Sequence, residues 1–397
     1  MAGAPVRVVI AGGGVAGLEA LLALRALAGD RVEMTLVAAQ EDFVYRPLAV
    51  AEPFALGRAH RTPLADATRE VGAELVVAAL RSVDVDAREA ELDEGRRLSY
   101  DALVLALGAH AEPAFDDVMT WTDRSGVEAI GGLMRDLEEG YSSSLAIVIP
   151  PGPGWPLPGY ELALLMSHQA RGMGMEPDVT LVTPEQTPLA AFGPLASEAV
   201  ATELELAGVK LEAGSYAAVE RRAVVLRPSG RRVTADRIVA LPRLRGRAPT
   251  GVPSGAEGFI AVDPHGRVIG AEHVWAAGDG IDFPVKFGGL AAGQADAVAA
   301  DIAADAGALV ERTPFRPVLR GKLLTGGRDR FVRFDASGGG GGGQTGPQPL
   351  WWPPGKVAGR WLAPWLAARD DAAVGDQLPH VGGLAVQTDL MQDVVAT

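Results

Sequence analysis

The sequence contains no cysteine, and this absence excludes several kinds of chemistry at once. A redox disulfide, a thiolate nucleophile, a cysteine persulfide and an iron–sulfur or other thiolate-bound metal centre all need that side chain. Two-electron chemistry in this chain would therefore depend on a bound organic cofactor.

Histidine is scarce, and its six positions are too scattered to suggest a metal site: His60, His110, His168, His265, His273 and His380. No two of them have the spacing of a helical zinc motif. We therefore assign no metal ligand.

Positive charge and long apolar runs are also in short supply. Lysine and arginine number 36 against 50 acidic residues, for a formal net charge of -14. Nucleic acid is not expected as a partner, because phosphate backbones are bound by clustered cations. No apolar run is long enough to span a bilayer, and the chain enters a strand pattern at Val6 without a basic leader or a cleavage site. We expect a cytoplasmic protein.

The sequence does contain two similar α/β units. A length of 397 residues predicts two or three domains. In the first unit, an apolar strand at Val6–Ala11 leads into a glycine turn, an alanine- and leucine-rich helix and a strand at Val32–Ala38. The second unit has a strand at residues 145–149, a glycine- and proline-rich turn, and a helix predicted to begin at Tyr160.

The first glycine turn has the spacing of a dinucleotide site. Gly12 allows the tight turn, Gly14 lets the backbone approach a pyrophosphate, and Gly17 permits close packing of helix on strand. The helix N-terminus at Val15 and Ala16 then faces the negative charge. Because the flanking strand and helix are both present, the motif predicts dinucleotide binding.

The residue that would hold the ribose is less clear. The end of the second strand, the usual place for an acid, holds Ala38. Glu41 or Asp42 could reach the ribose instead, or either could be a solvated turn residue. We name Glu41 as the candidate and leave both interpretations open.

Further motifs resemble a known family. Tyr100-Asp101-x-Leu103-Val104-x-x-x-x-Gly108 and Ala276-Ala277-Gly278-Asp279 resemble the pyridine nucleotide-disulfide oxidoreductase superfamily of flavoproteins. Residues 42–48 (DFVYRPL) and 283–291 (FPVKFGGLA) look like its branch of type II NADH dehydrogenases and sulfide:quinone oxidoreductases. The resemblance covers about residues 5 to 305.

The resemblance implies a site for FAD. Asp279 would hydrogen-bond the ribityl chain or a phosphate, and Gly278 would give the backbone room to approach. Lys286 would lie near the flavin pyrimidine edge, where a cation raises the flavin potential; the alternative is a surface lysine before a glycine turn. The same motifs imply the remaining cofactor contacts at Arg46, Pro47, Gly108, Gly289 and Leu290.

The second glycine turn departs from the nicotinamide-binding pattern. Gly152-x-Gly154 is followed by Trp155-Pro156-Leu157-Pro158 before Gly159-Tyr160-Glu161. Because prolines lack the N–H donor, a pyrophosphate would find fewer hydrogen bonds there. This turn resembles the sulfide:quinone branch, which does not bind nicotinamide, whereas the missing cysteines disfavour sulfide. The retained βαβ pattern makes NAD(P)H our slightly favoured donor.

A C-terminal stretch, residues 350–366, holds four of the seven tryptophans. Aromatic walls suit a flat acceptor such as a quinone, and such segments also lie at membrane interfaces. A domain-packing or dimer-interface cluster is the third interpretation. A segment at a membrane interface would imply a location at the inner face of the membrane, and a dimer-interface cluster would imply a homodimer. Both remain open.

We therefore predict an α/β protein with two Rossmann-like dinucleotide-binding domains, one nested in the other, and a small C-terminal α+β domain. Residues 1–112 and 251–312 would bind FAD, residues 113–250 would form the NAD(P)-binding-like domain, and residues 313–397, with a glycine loop at 338–343, the C-terminal domain.

The predicted function is an FAD-dependent oxidoreductase that carries electrons from a small-molecule donor, NAD(P)H being favoured, to a quinone-like or other acceptor. Two alternatives remain. One is a quinone-linked flavoprotein with a non-nicotinamide donor, and the other is a flavin-binding redox sensor or partner protein with little turnover.

Overall fold

A computed structural model describes residues 4–123, 126–336 and 343–375. The α-helices of these ranges are α1 (Val15–Ala28), α2 (Leu64–Val71), α3 (Gly126–Glu138), α4 (Leu157–Gly172), α5 (Pro194–Leu206), α6 (Gly288–Asp305) and α7 (Leu362–Gly375). The strands are β1 (Val6–Ala11), β2 (Val32–Ala38), β3 (Asp42–Val44), β4 (Arg61–Pro63), β5 (Glu74–Val77), β6 (Leu80–Asp84), β7 (Glu89–Leu92), β8 (Arg97–Ser99), β9 (Ala102–Leu105), β10 (Ala109–Glu112), β11 (Met119–Thr120), β12 (Ser144–Val148), β13 (Asp178–Val182), β14 (Lys210–Glu212), β15 (Tyr216–Glu220), β16 (Ala223–Arg227), β17 (Arg232–Thr234), β18 (Arg237–Ala240), β19 (Arg243–Gly246), β20 (Val274–Ala276), β21 (Val318–Leu323), β22 (Arg330–Asp335) and β23 (Gln344–Gly346).

The first parallel sheet has the strand order β20-β9-β1-β2-β5. Helices α1 and α6 contact each other and bury their apolar residues on this sheet; Leu18, Leu21 and Leu24 of α1 are fully buried. Each such side chain stabilises the fold by about 1.5–3 kcal/mol. Strand β20 follows the whole second unit in sequence, so the chain returns late to complete the first sheet.

The second parallel sheet repeats this arrangement, with the order β11-β18-β12-β13-β14. Strand β12 takes the central place of β1, and helix α4 follows it as α1 follows β1. The predicted fold class, with two Rossmann-like domains, is confirmed. The two units are joined by an antiparallel ribbon in which β10, leaving the first sheet, pairs with β19, leaving the second.

Helix α4 begins at Leu157, three residues before the predicted start at Tyr160. Pro156 is the N-cap and Pro158 lies in the first turn, where a backbone N–H has no helical partner. Proline is therefore tolerated at this position, and the two prolines start the helix rather than delay it.

The C-terminal part contains the antiparallel sheet β21-β22-β23 and helix α7. Gly321 of this sheet lies against the ring of Phe192 in the second unit. The predicted glycine loop lies outside the described residues from 338 to 342. Within the described ranges, no helix is long and apolar enough to cross a membrane.

Candidate functional site

The first glycine turn leaves a gap at Gly14 and is tightly packed on either side of it. A Cβ atom at Gly12, whose φ is +124°, would lie 2.1 Å from the carbonyl oxygen of Ala106. One at Gly17 would lie 1.8 Å from the carbonyl oxygen of Gly12. At Gly14, the exposed N-cap of α1, a Cβ atom would meet nothing within 4 Å. The free space at the helix N-terminus suits an anionic group such as a pyrophosphate.

The end of β2 adjoins this turn. A Cβ atom at Gly13 would lie 3.0 Å from that of Ala38, so the place expected for the ribose acid faces the glycine turn but carries no acid. Glu41 lies three residues further on and is exposed, and its backbone carbonyl accepts a hydrogen bond from Leu64 at 2.8 Å. Its role in ribose binding stays a prediction.

The turn after β20 joins the N-termini of α1 and α6. A Cβ atom at Gly278 would lie 3.1 Å from that of Ala16 and 3.6 Å from that of Ala291. The backbone N–H of Gly278 donates to the side chain of Gln294 at 2.8 Å. These contacts bring the Gly278 turn and the first glycine turn, which are far apart in sequence, together at one edge of the first sheet.

Three other residues predicted to bind the cofactor, Gly108, Val15 and Leu290, lie at the same edge of the first sheet. A Cβ atom at Gly280 would lie 3.0 Å from the carbonyl oxygen of Gly108, and one at Gly288 would lie 3.6 Å from a methyl group of Val15. Leu290 is buried in the first turn of α6. The predicted cofactor residues from the three glycine-containing segments are therefore neighbours.

Asp279 projects from this turn and is half-buried. Its carboxylate makes no hydrogen bond or ion pair with any other residue in the described ranges. Burial raises the pKa of Asp279, and the positive charge of Lys286 lowers it. A carboxylate in this position gains from a ligand hydroxyl that donates to it, because an unpaired buried acceptor is costly.

Lys286 is buried rather than exposed. Its ammonium donates to the carbonyl oxygen of Ile281 and lies 4.1 Å from the ring centre of Phe259. Burial lowers the pKa of Lys286 to about 8, against the opposite effect of Asp279 and Asp282. The structure therefore joins Lys286 to the Asp279 turn, and a direct contact with the flavin stays a prediction.

Arg46 and Pro47 open a short 3-10 segment, Arg46–Phe54. The Arg46 guanidinium forms an ion pair with Asp123, which lies between β11 and α3 of the second unit. The neighbouring Tyr45 hydroxyl accepts a hydrogen bond from the backbone N–H of Val357 at 2.9 Å. This segment thus contacts both the second unit and the C-terminal part.

The second glycine turn is closed by its own chain. The N–H of Gly154 donates to the carbonyl oxygen of Pro284 at 3.1 Å, and the N–H of Lys286 donates back to Gly154 at 3.0 Å. The indole of Trp155 stacks on Phe287, the N-cap of α6, with ring centres 4.3 Å apart and planes inclined at 18°. A backbone donor that a pyrophosphate would use is therefore engaged inside the protein.

The end of the second unit's second strand is closed as well. The sequence Thr-Leu-Val-Thr at 180–183 matches Thr-Leu-Val-Ala at 35–38, so Thr183 corresponds to Ala38 and neither position carries an acid. The nearest acid, Glu185, accepts hydrogen bonds from the Tyr160 hydroxyl at 2.7 Å and from the N–H of Ala190 at 3.1 Å. Burial raises the pKa of Glu185, and these donors oppose the rise.

Sequence reasoning missed the residues that the C-terminal part brings to the site. Lys356 is buried against Glu161, with its ammonium 2.6 and 2.7 Å from the two carboxylate oxygens. Burial raises the pKa of Glu161 and lowers that of Lys356, and each charge opposes the shift of the other. One signal was available: the glutamate follows the last glycine of the second turn by two residues, as Glu19 follows Gly17 in the first.

The fold has two dinucleotide-binding-type domains, and similarity to known proteins makes the chain a flavin-dependent oxidoreductase. The chain belongs to the pyridine nucleotide-disulphide oxidoreductase family, which matches residues 6–297. The predicted family resemblance and enzyme class are thereby confirmed.

Among similar proteins, the NADH dehydrogenase-like protein Rv1812c of Mycobacterium tuberculosis is 32% identical over 298 residues, 69% of this chain and 72% of the relative. The sulfide-quinone reductase of Aquifex aeolicus is 28% identical over 185 residues, 45% of this chain and 43% of the relative. The solved sulfide:quinone oxidoreductase of the same species covers 94% of this chain and 91% of its own, with 19% identity and a TM-score of 0.76. This last likeness concerns the fold.

Proposed function

We propose that this chain is an FAD-dependent oxidoreductase that passes electrons from a donor other than NAD(P)H to a quinone-like acceptor. The observation that carries the choice of donor is the closed second turn, in which Gly154 bonds to Pro284 and Trp155 stacks on Phe287. The sequence alone slightly favours NAD(P)H as the donor. The closed turn favours instead the first alternative, a quinone-linked flavoprotein with a non-nicotinamide donor.

FAD fits the first glycine turn on three grounds. The gap at Gly14 admits a pyrophosphate at the N-terminus of α1, and Gly278 brings that helix against α6. Asp279 offers a ribityl hydroxyl a carboxylate that has no hydrogen-bond partner among the described residues. When bound, FAD supplies two-electron chemistry, taking an electron pair from the donor and giving it to a quinone that also takes up two protons. Lys286 keeps a positive charge close to Asp279.

A nicotinamide dinucleotide fits the second turn poorly. Its pyrophosphate needs free backbone N–H groups and its ribose needs an acceptor at the end of the second strand. Here Gly154 and Glu185 are both bonded internally, and Trp155 fills the space between the turn and α6. Displacing all three would cost the hydrogen bonds and the ring stack, so binding would be weakened.

The acceptor is argued from the C-terminal part. Trp351 lies edge-to-face on Phe331 with ring centres 5.2 Å apart, and its indole N–H donates to Gly355 at 2.9 Å. Residues 355–357 reach Tyr45 and the first turn of α6. An aromatic pair on the segment that continues to the N-terminus of α6 suits a flat, largely apolar acceptor, and one relative is named a sulfide-quinone reductase.

The test is an anaerobic spectral titration of the purified full-length protein loaded with FAD. We expect NADH and NADPH to leave the flavin absorption band unchanged. Flavin reduced chemically with dithionite should be reoxidised rapidly by a water-soluble naphthoquinone. Fast bleaching by either nucleotide would overturn the proposed donor, and failure of the quinone to reoxidise the flavin would overturn the proposed acceptor.

The second candidate function is an NAD(P)H dehydrogenase. The complete second sheet and the relative named NADH dehydrogenase-like favour it. It requires the Trp155 side chain to leave Phe287, and the same titration distinguishes it by its bleaching with NADH or NADPH alone.

A further inference from the structure

One short segment joins the two α/β units close to the proposed flavin site. Residues 281–287, which we name the bridging segment, run from the Gly278 turn to the N-cap of α6. The first unit holds the start of this segment. Asp282 donates its backbone N–H to the carbonyl oxygen of Ile260 at 2.8 Å, and Ile260 donates to Gly280 at 3.0 Å. The segment is therefore anchored at one end by residues that precede β20.

The second unit holds the other end of the bridging segment through its glycine turn. Gly154 and Val285 form an isolated parallel β-bridge. In this bridge the N–H of Gly154 donates to the carbonyl oxygen of Pro284 at 3.1 Å, and the N–H of Lys286 donates to the carbonyl oxygen of Gly154 at 3.0 Å. The donor and the acceptor of Gly154 are thus both bonded to the bridging segment rather than to a ligand.

Trp155 packs on the same end of the bridging segment. The centre of its indole ring lies 4.3 Å from the ring centre of Phe287, with the planes inclined at 18°, and 5.7 Å from the ring centre of Phe192. Phe287 is buried, and a Cβ atom at Gly289 would lie 2.8 Å from its ring. The Phe287 ring therefore lies against both Trp155 and the first turn of α6.

The side chain of Lys286 contacts the first unit, although its backbone is held by the second. Its ammonium donates to the carbonyl oxygen of Ile281 and lies 4.1 Å from the ring centre of Phe259. Lys286 is only 3% exposed, and the acids whose charges act on it are Asp279 and Asp282. Movement of the segment at its second anchor would therefore shift this ammonium relative to the Asp279 turn.

Burial of the Lys286 ammonium is unfavourable by itself. The group has three donors, and it makes one hydrogen bond within the described ranges. A buried charge with so few partners gains free energy by moving towards solvent. The contacts that fix the backbone around it, with Gly154 directly and with Trp155 through the Phe287 ring, oppose that movement.

We propose that Trp155 is a positioning residue for the flavin, because together with Gly154 it holds the bridging segment so that Lys286 stays buried beside the Asp279 turn. The second glycine turn then supports the cofactor of the first unit instead of binding one of its own. The effect on the flavin rests on the proposed function, whereas the anchoring of the segment rests on the contacts alone. A ligand that displaced the Trp155 ring would also move Lys286.

Spectroscopic redox titration of the FAD-loaded full chain tests the proposal, with the variants Trp155→Ala, Lys286→Met and the combination of both. A cation near the flavin favours its reduced, anionic form. We expect Trp155→Ala to lower the two-electron equilibrium constant for flavin reduction by about threefold, as Lys286→Met does. The double variant should show no further fall, because Trp155 acts through Lys286. An unchanged potential in Trp155→Ala, or two effects that add in the double variant, would overturn the proposal.

Matched variants separate the position of Lys286 from a general loss of packing. Trp155→Phe keeps a ring that can stack on Phe287 and should restore the wild-type potential. Trp352→Ala removes an indole that is 86% exposed and should leave the potential unchanged. A Trp155→Phe protein with the potential of Trp155→Ala would overturn the role of the ring stack. Should Trp155→Ala fail to fold, Trp155→Leu removes the ring, keeps apolar volume and gives the same comparison.

Hydrogen exchange of the purified full chain, followed by mass spectrometry over residues 281–287, tests the anchor without a flavin signal. The N–H of Lys286, bonded to Gly154, should exchange roughly tenfold faster in Trp155→Ala than in the wild type, whereas the N–H of Asp282, bonded to Ile260, should not change. Equal exchange of the Lys286 N–H in the two proteins would overturn the anchor. Faster exchange in a protein that binds no FAD would overturn the proposed function and leave the anchor standing.

Discussion

The two glycine turns of this chain have the same plan and differ in how their backbone groups are engaged by the rest of the protein. The first turn leaves Gly14 open at the N-terminus of α1. In the second, the position of Gly154 is also open, but its N–H is bonded to Pro284 and the neighbouring Trp155 stacks on Phe287. The sheets beneath have the same strand arrangement. Two units with the same framework therefore need not bind the same ligand, because the ligand depends on which backbone donors remain free.

The prolines explain how the second turn can differ from the first although both units keep the same fold. Pro156 and Pro158 supply no N–H donors, yet they occupy helix positions where such donors are dispensable. The helix keeps its apolar contacts with β12 and β13, while the prolines leave fewer backbone N–H donors for an anion at the turn. In the first turn, Gly12 and Gly17 are fixed by contacts of their own backbone, so the open shape around Gly14 is maintained.

The largest expected effect comes from replacing Gly14 by valine, with Gly154→Val as the matched variant in the second turn. Gly14→Val should weaken FAD binding on the order of 100-fold or more, because the side chain fills the phosphate gap without touching the protein. Gly154→Val also meets nothing within 4 Å and should keep its flavin. Flavin content after gel filtration and FAD titration of the apoprotein measure both. An equal loss of FAD from the two variants would contradict the proposal that FAD binds at the first turn only.

A smaller effect is expected at the turn after β20. Asp279→Asn removes the charge from a carboxylate that has no described protein partner, and it should weaken FAD binding by about 10-fold, since hydrogen bonds to charged groups contribute about 1.5–3 kcal/mol. The control is Asp282→Asn, which removes an exposed charge that also acts on Lys286. FAD affinity should be unchanged in the control. An Asp279→Asn protein with full affinity would exclude Asp279 from the site.

The first turn was predictable because its determinants are local. Gly12, Gly14 and Gly17 lie within six residues, and the strand and helix around them have clear periodicity. The return of the chain at Gly278 was recognisable from its motif. The burial of Lys286 was not, because it depends on Phe259 and Ile281 in segments that have no periodic pattern.

Neither the closure of the second turn nor the attachment of the C-terminal segment to Glu19 could be predicted from local patterns. Trp155 meets Phe287 across more than a hundred residues, and Glu19 meets Trp361 across more than three hundred. Such contacts follow from the tertiary arrangement of complete units. The glutamate two residues after the last glycine recurs in α1, as Glu19, and in α4, as Glu161. This spacing was the one local sign that both helices bind the C-terminal segment.

Opening the second turn should make the two turns more alike. Trp155→Ala removes the ring that stacks on Phe287 and contacts Phe192 at 5.7 Å between ring centres. We expect NADH to bleach the flavin of this variant slowly, where it leaves the wild-type flavin unchanged; the gain is modest because the Gly154 bond to Pro284 remains. Stopped-flow absorbance measures it. The control is Trp352→Ala, which removes an indole that is 86% exposed. No gain in Trp155→Ala would mean that the backbone contacts alone close the turn.

The smallest effect concerns Lys286, which touches both turns: its backbone N–H bonds to Gly154 and its side chain reaches the Asp279 turn. Lys286→Met keeps the length of the side chain and removes its charge. If that charge acts on the flavin, the midpoint potential should fall on the order of 15 mV, about threefold in a two-electron equilibrium. The pKa of Lys286 is lowered to about 8, so the difference from wild type should be largest below that pH and fade above it. Spectroscopic redox titration at two pH values measures this. An unchanged potential with weaker FAD binding would make Lys286 a positioning residue for Asp279.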